Sequence, residues 1–493
     1  MRKTLLCTAA LILMSATVLV AQPTAELSRD LQALDLSTAA RSLPVDGQLR
    51  LSGVDLGLGQ KDLVLQRFRV FAPGAEIVIH GDDGDRVVGA PDNAYFRGYV
   101  EGRGASVVLL SALENGQVRG LVAEGSRYWV LGETAPGDDA SVLAVREVDA
   151  AQLAEQVTGF ACDTEHLEAE ATGAAPLFDK AYVERNLAEI FRPAAERVLG
   201  RGVTNTARIA IESDNEFLNL FGGNTTNATN YLGDIIAYSS AVYVNEVDTS
   251  MEIVHVSLWT TADPWTQFST ICGLFEFGKY WNDNNDSIDR TLVHFMSGKN
   301  NGGGVAWVGV LCNGGFDYNT GPNNCGFSPA NDNFGGDYGY SGTLDGDFDI
   351  DNPTVVWDIV VVAHEIGHNF DSPHTHCYNG IGNPSPIDQC YGVQQGCYAG
   401  GASLPCGSAG AGCGTIMSYC HLLGGGISNI GFTLGQGHAW GVMPERVPQR
   451  MAAHVADRAA AVPGCLDPIN IAEVFLDGFE IGNLSAWSNT VVD

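Results

Sequence analysis

Two histidines, with a glutamate directly after the first, stand in the segment VVWDIVVVAHEIGHNFDSPH, residues 355–374. The apolar residues of this segment, and the absence of glycine and proline from residues 355–366, predict a buried helix. His364 and His368 then lie one turn apart on one face of the helix, where two imidazoles can bind one zinc ion. The spacing therefore predicts a zinc site on this helix.

Other residues of the same segment predict that this zinc site is catalytic. Pro373 prevents the helix from continuing, and a turn near Asp371 would bring His374 back as the third ligand. Three protein ligands leave the fourth position open, as in catalytic zinc sites. Glu365 is then positioned to take a proton from a zinc-bound water and to deliver it to a leaving amine. Asp371 and His376 stay open as alternative ligands.

The composition is that of an acidic globular protein. The chain has 493 residues, enough for two or three domains, and its 26 Lys and Arg against 58 Asp and Glu give a net charge of −32. Such a charge repels nucleic acid and anionic lipid, so nucleic-acid binding is not expected. Asn and Asp concentrate in residues 214–352, where loops could bind calcium in addition to the zinc ion.

The N-terminus and the cysteines indicate secretion. Arg2 and Lys3 precede an apolar run at residues 5–20, which predicts a signal peptide at residues 1–21, with an uncleaved anchor helix as the alternative. No later stretch is apolar for long enough to span a membrane. Six of the 12 cysteines lie within residues 377–420, a density that predicts disulfides and an extracellular location.

Changes of periodicity divide the remaining chain. Residues 22–165 alternate apolar and polar side chains in short runs, which predicts a β-rich domain. The runs are at residues 63–70, 95–101, 105–110, 118–122 and 128–131. Residues 166–206 predict a helical linker, residues 207–465 a domain of mixed helices and strands that opens with a strand at 207–212, and residues 466–493 a short acidic tail. The fold class is therefore α+β.

The motif HEIGHNFDSPH resembles the long zinc motif HExxHxxGxxH of the metzincin metalloproteases, and its wording is closest to the adamalysin or reprolysin branch. The segment CGTIMSYC places Met417 where this family has its Met-turn, an apolar floor under the zinc. Residues 294–312 resemble the strand at the upper rim of the cleft, to which a peptide substrate adds as a further strand. Residues 96–131 resemble an adamalysin-type propeptide.

This resemblance implies a metzincin-like catalytic domain with a mixed twisted sheet, an active-site helix and a small C-terminal subdomain, preceded by a propeptide domain. It also implies a Cys312–Cys465 disulfide. One departure is Asp371, which stands where the family motif has glycine; aspartate is among the few residues that tolerate a left-handed turn. Tyr419 matches a tyrosine that in other metzincin branches approaches the zinc or stabilises the oxyanion.

The parity of the cysteines singles out Cys162. Without Cys7 of the signal peptide and Cys162, ten cysteines remain, enough for five disulfides within residues 272–465. An odd thiol at the end of a propeptide could bind the open zinc position and keep a zymogen silent, whereas the alternatives are a disulfide or an unpaired thiol. Activation would then require cleavage between Cys162 and Ala207, where Arg197 and Arg201 are candidate sites.

The preferred hypothesis is a secreted zinc endopeptidase made as a zymogen, acting on proteins or peptides as a monomer. One alternative is a zinc hydrolase restricted to glycosylated or cell-wall peptides, because the motif defines the metal chemistry and not the shape of the pocket. Another is a catalytically silent secreted binding or adhesion module on the same fold. The retention of Glu365 favours an enzyme, since a structural zinc site has no use for the acid.

Overall fold

The computed structural model describes residues 23–57, 59–132, 143–149, 162, 164, 203–316, 318, 325–327, 333–348 and 354–468. The predicted signal peptide, residues 166–202 of the expected helical linker with the candidate cleavage sites, and the tail beyond Pro468 lie outside these residues. Within the described part of the chain, no helix is both long and apolar enough to cross a membrane.

The N-terminal part of the chain is rich in strands, as its alternating pattern predicts. Its elements are β1 (Thr24–Ser28), α1 (Ala33–Arg41), β2 (Gln48–Asp55), β3 (Gln60–Phe68), β4 (Phe71–His80), β5 (Arg86–Gly89), β6 (Ala94–Val100), β7 (Arg103–Ala112), β8 (Val118–Glu124), β9 (Arg127–Gly132) and β10 (Ala144–Glu147). Eight of these strands form one sheet in the order β1-β2-β3-β6-β7-β8-β9-β10. Leu63 and Leu65 of β3 and Phe96 of β6 are buried in one cluster with Leu36 and Ala40 of α1, so alternate residues form the core of this sheet.

The second part of the chain mixes helices and strands. Its elements are β11 (Asn205–Ser213), α2 (Asn215–Leu220), α3 (Thr225–Val247), β12 (Thr249–Trp259), α4 (Thr270–Asn284), β13 (Leu292–Met296), β14 (Gly304–Ala306), β15 (Tyr338–Ser341), α5 (Val355–Asn369) and α6 (Arg446–Ala461), with short 3₁₀ turns at Thr375–Cys377, Cys420–Leu422 and Gly426–Asn429. The seven-stranded sheet has the order β14-β15-β13-β11-β12-β4-β5. Its central strands are parallel, whereas β14 runs antiparallel to β15 at one edge.

Strands from both sides of the predicted boundary pair with each other, because residues 22–165 contribute two strands to the sheet of residues 207–465. The hairpin β4–β5 comes from the N-terminal part, yet β4 pairs in parallel with β12 and β5 forms the outer edge of the second sheet. Ile77 and Ile79 of β4 consequently share a core with Val256 and Leu258 of β12. The alternating runs expected from the sequence do not include residues 71–80, and alternation does not specify which sheet a strand joins.

Helix α5 carries the predicted zinc motif and lies against α3. The Tyr231 hydroxyl donates to Asp358 Oδ2 at 2.8 Å, and the Tyr243 hydroxyl donates to the Ala363 carbonyl at 2.7 Å. Every residue of α5 is buried, which agrees with the helix expected from the apolar run at residues 355–366. The position of α5 is therefore determined by α3 on one side and by the sheet on the other.

Five disulfides stabilise the second part of the chain. The pairs are Cys272–Cys325, Cys312–Cys465, Cys377–Cys397, Cys390–Cys420 and Cys406–Cys413. The pairing of Cys312 with Cys465 and the count of five disulfides confirm the expectations from the sequence. Among the described cysteines, only Cys162 is free, and it is buried.

A buried ion pair joins the two parts of the chain and provides a test of their contact. Arg119 Nη2 of β8 lies 2.5 Å from Asp234 Oδ2 of α3, and the Asp234 side chain is fully buried. We expect Arg119→Met to lower the free energy of unfolding by about 3–5 kcal/mol, because Asp234 would be left buried without its partner. Urea denaturation monitored by fluorescence would measure this loss.

A matched control for this variant is Arg127→Met. The pair of Arg127 with Glu147 is about half exposed, so its loss should change the free energy of unfolding by no more than about 0.5–1 kcal/mol. Equal effects of the two substitutions would contradict the importance of the buried pair.

Candidate active site

The three predicted histidine ligands lie together at the end of α5. His364 and His368 project from the helix one turn apart, and the chain turns back after Asn369 so that His374 joins them. The ring centroid of His374 lies 5.2 Å from that of His364 and 4.7 Å from that of His368. All three side chains are buried.

The turn that brings His374 back is made by Asp371. Its φ of 76° is left-handed, the conformation for which the family motif uses glycine. Asp371 Oδ1 accepts a hydrogen bond from Arg450 Nη2 of α6 at 2.8 Å, and the Asp371 carbonyl accepts another from Arg450 Nε. The ion pair thus holds the strained turn and engages the carboxylate, so Asp371 is not among the residues that converge on the metal centre.

Each ligand histidine has an acceptor next to its Nδ1 atom. The Ile416 carbonyl lies 2.7 Å from His364 Nδ1, and the Ser372 carbonyl lies 2.7 Å from His368 Nδ1. Because a carbonyl only accepts, these two rings carry their proton on Nδ1 and leave the Nε2 lone pair for a metal. The Gln394 Oε1 atom lies 3.1 Å from His374 Nδ1 and has the same effect on the third ring.

The electrostatics of the site favour neutral imidazoles. Burial lowers the pKa of His364 to about 4. Burial and the neighbouring histidines hold the pKa values of His368 and His374 well below the usual range. Neutral imidazole is the form that coordinates a metal.

The donor set fits a zinc ion. Ligand atoms of Cys162, His364, His368 and His374 all lie within 4.8 Å of one another, and the four residues are buried. His374 Nε2 has no hydrogen-bond partner within the described part of the chain, although it is buried. Three imidazole nitrogens with one sulfur is a tetrahedral set that zinc accepts.

Two other groups of potential metal ligands are excluded by their covalent chemistry. They contain Cys377, Cys390 and Cys420, which are all oxidised in disulfides. His376, the alternative third ligand considered from the sequence, instead lies with its Nε2 atom 2.6 Å from Gln394 Oε1. His374 therefore lies with His364, His368 and Cys162, whereas His376 shares the Gln394 oxygen with it.

The Glu365 carboxylate lies beside the three histidines and next to the edge strand β14. Glu365 Oε2 is 3.4 Å from Cys162 Sγ, so the acid faces the same point as the thiol. A Cβ atom at position 304 would collide with the Glu365 side chain, which explains why β14 begins with glycine. The requirement for Gly304 was missed from the sequence, although the run of three glycines at residues 302–304 marks a place of close backbone approach.

Cys162 lies at the metal centre and its backbone is held by Tyr419. Cys162 Sγ is 3.5 Å from His368 Nε2 and 3.0 Å from Thr164 Oγ1. The Tyr419 hydroxyl accepts from the Cys162 N–H at 3.1 Å and donates to the Cys162 carbonyl at 2.8 Å. Burial, followed by the Glu365 carboxylate, raises the pKa of the thiol well above its usual value.

The Cys162 segment also contacts the edge of the seven-stranded sheet. The Ala306 N–H of β14 donates to Thr164 Oγ1 at 3.1 Å, and Thr164 Oγ1 donates to the Ala306 carbonyl at 3.4 Å. Strand β14 lies in the segment that resembles the upper rim of a protease cleft. Its edge groups are thus engaged by the same segment that brings the thiol to the histidines.

Met417 packs beneath the zinc motif. A Cβ atom at position 367 would collide with Met417 Sδ, so the methionine lies directly against α5 between the two helical histidines. The Met417 carbonyl accepts from the Thr375 N–H at 3.0 Å, which ties this turn to the residue after His374. The position agrees with the apolar floor that the resemblance implies.

The loop that contains Gln394 was not predicted to serve the site. Gln394 is buried, and its Oε1 atom lies between His374 Nδ1 and His376 Nε2. The disulfides Cys377–Cys397 and Cys390–Cys420 anchor this loop on both sides of Gln394. A glutamine in a cysteine-rich loop carries no signal of its own in the sequence, because its role depends on where the disulfides place it.

Comparison with known proteins finds a similarity to a family of proteases in the segment that contains this site. Residues 203–426 match the profile Reprolysin_5, described as metallo-peptidase family M12. The match over this segment confirms the resemblance to metalloproteases. The use of zinc by these metallopeptidases agrees with the group of three histidines.

A solved structure with some similarity is the crystal structure of metalloproteinase-II from Bacteroides fragilis. It is 9% identical in sequence, with 77% of this chain and 93% of that chain covered and a TM-score of 0.37. No curated protein matches the chain.

The contact of Gln394 with His374 gives a prediction for metal binding. We expect Gln394→Met to weaken zinc affinity by about 10- to 100-fold, because the acceptor that orients the third ring is lost. Gln394→Glu retains an acceptor and should bind zinc nearly as well as the parent. Competition with a chromophoric chelator would measure the dissociation constants.

The adjacent Gln395 offers a matched control, since its side chain is exposed. Gln395→Met should leave the zinc affinity unchanged. Equal affinities for the Gln394→Met and Gln395→Met proteins would show that the buried glutamine does not orient His374.

Proposed function

We propose that this protein is a secreted zinc endopeptidase of the reprolysin type, made as a zymogen that Cys162 keeps silent. The observation that carries the proposal is the convergence of Cys162 with His364, His368 and His374, whose ligand atoms lie within 4.8 Å of one another. The M12 match supports the peptidase activity, and the five disulfides support an oxidising compartment outside the cytoplasm.

In this proposal the three histidines hold the metal and Glu365 moves the protons. Zinc, when bound, supplies a Lewis acid for the scissile carbonyl and lowers the pKa of water from 15.7 to about 7. Glu365 accepts the proton of the attacking water and then delivers it to the leaving amine. Gly304 supports this role because it leaves room for the carboxylate beside β14.

The contacts of the Cys162 segment support a proposal for how a peptide substrate is held. Thr164 engages both the N–H and the carbonyl of Ala306, which are edge groups that an added substrate strand would pair with. The Tyr419 hydroxyl binds the backbone of Cys162 within the metal centre. After the segment leaves, Tyr419 is a hydrogen-bond donor for the developing oxyanion.

The same contacts support silencing by the thiol. With zinc held by the three histidines, a Cys162 thiolate would exclude the water that the reaction needs, and the positive charge of the metal would offset the high pKa that burial gives the thiol. Cleavage within residues 166–206 would begin the release of this segment. Once the Cys162 segment has left, both the metal and the edge of β14 are accessible to a substrate.

The role of Glu365 can be tested by Glu365→Gln in the processed protein. We expect proteolysis of a denatured protein substrate to fall by about 10²- to 10⁴-fold, because the amide cannot accept the proton. Zinc content, measured by elemental analysis, should remain that of the parent, since Glu365 is not a ligand. Activity near that of the parent would remove Glu365 as the general base.

The role of Cys162 can be tested by Cys162→Ser in the full-length chain. We expect this precursor to hydrolyse substrate or to cleave itself without prior processing, because a hydroxyl is a poor zinc ligand compared with a thiolate. The double variant Cys162→Ser/Glu365→Gln should remain intact and inactive, which controls for contaminating proteases. A single variant as silent as the parent would contradict the thiol switch.

A further inference from the structure

The hairpin β4–β5 of the N-terminal part forms two strands of the protease sheet. Strand β4 pairs in parallel with β12 through Glu76 with His255 and onward to His80 with Trp259. Strand β5 then covers β4 on the outer side. Without this hairpin, β12 would be an edge strand with unpaired backbone groups.

The side chains of β4 contribute to the core of the protease part. Ile77 and Ile79 are buried in the same cluster as Val256 of β12 and Ile235 of α3. Removal of the hairpin would return these apolar surfaces to water, which costs about 25 cal/mol for each Å² exposed. The N-terminal part is thus held to the protease part by the burial of apolar side chains as well as by strand pairing.

Polar contacts at two other places add to this attachment. Next to the buried pair of Arg119 with Asp234, Asn93 Nδ2 donates to Asn230 Oδ1 of α3 at 2.8 Å. The Tyr128 hydroxyl of β9 donates to the Ile430 carbonyl, directly after the 3₁₀ turn at Gly426–Asn429, at 3.1 Å. Contacts with β12, α3 and Ile430 therefore hold the N-terminal part at three separate places.

The Cys162 segment contacts the metal-site side of the protease part. Hydrogen bonds join Cys162 to Tyr419 and Thr164 to Ala306. In the chain the segment lies between β10, which is paired with β9 in the N-terminal sheet, and β11, which begins at Asn205. The Cys162 segment can therefore be cut out of the chain without removing a strand from either sheet.

We propose that the surface formed by β12 and α3 is a permanent docking site for the N-terminal domain, residues 23–132. After the zymogen is processed, this domain stays bound as a noncovalent subunit of the active protease, and the segment around Cys162 is the part that leaves. The proposal rests on the zymogen function proposed above. It implies that activation needs one cut on each side of Cys162.

The requirement for two cuts follows from tethering. A single cut within residues 166–202 leaves Cys162 joined to the N-terminal domain, which remains docked beside the metal centre. A single cut within residues 150–160 leaves Cys162 joined to the protease part. In both cases the thiol keeps an effective concentration on the order of millimolar, whereas a peptide cut at both ends can diffuse away.

The experiment uses the full-length chain with a recognition sequence for a site-specific protease at residues 150–160, at residues 166–202, or at both. The two singly cut proteins serve as matched controls for the doubly cut one. Each protein is cleaved and passed over a size-exclusion column in native buffer, and the fractions are analysed by denaturing gel and mass spectrometry. Hydrolysis of a denatured protein substrate is assayed in the same fractions.

We expect the N-terminal and protease fragments to elute together after every cut, and the peptide containing Cys162 to leave the complex only after both cuts. Activity should then exceed that of either singly cut protein by roughly tenfold or more. Separate elution of the two fragments, with the protease fragment retaining its zinc and its far-ultraviolet circular dichroism, would overturn the docking proposal.

The same experiment separates this inference from the proposed function. Fragments that elute together, and that lose the Cys162 peptide but remain inactive, would support the docking site and contradict the thiol-silenced endopeptidase. Full activity after the single cut at residues 166–202, with the N-terminal fragment in a separate peak, would support the endopeptidase and contradict the retained subunit.

Discussion

Three buried imidazoles must present their Nε2 atoms to one point, and each needs an acceptor for the proton on Nδ1. The acceptors come from three separate places: Ser372 in the turn after α5, Ile416 beside the Met-turn, and Gln394 in the disulfide-anchored loop. The turn at Asp371, the packing of Met417 and the disulfides around Gln394 each serve this requirement. Much of the chain after α5 can be understood as the framework that supplies these acceptors.

The N-terminal part of the chain engages both ends of the protease sheet. At one end Thr164 binds the edge groups of β14, and at the other end β4 pairs with β12. The described contact of Thr164 is a pair of hydrogen bonds, whereas β4 contributes a paired strand with a buried apolar face. In the proposed zymogen the first contact is released on activation and the second remains.

Local features of the site could be predicted from the sequence, whereas long-range ones could not. Helix α5 and the left-handed turn at Asp371 follow from spacing and residue type within one short segment, and the free Cys162 follows from parity. The positions of β4 and Gln394 depend on contacts with residues far along the chain. The sequence pattern of a strand is the same in either sheet, and the sequence around Gln394 does not show that this glutamine is buried.

The pairing of β4 with β12 has a consequence for producing the enzyme. A fragment that begins at Val203 contains the whole matched family region but lacks the hairpin that covers β12. Such a fragment would carry a bare parallel edge next to an apolar face, which is the arrangement that promotes intermolecular strand addition and aggregation. Insoluble material from a truncated gene would then reflect the missing strand, and co-expression of residues 23–132 as a separate chain would be the remedy.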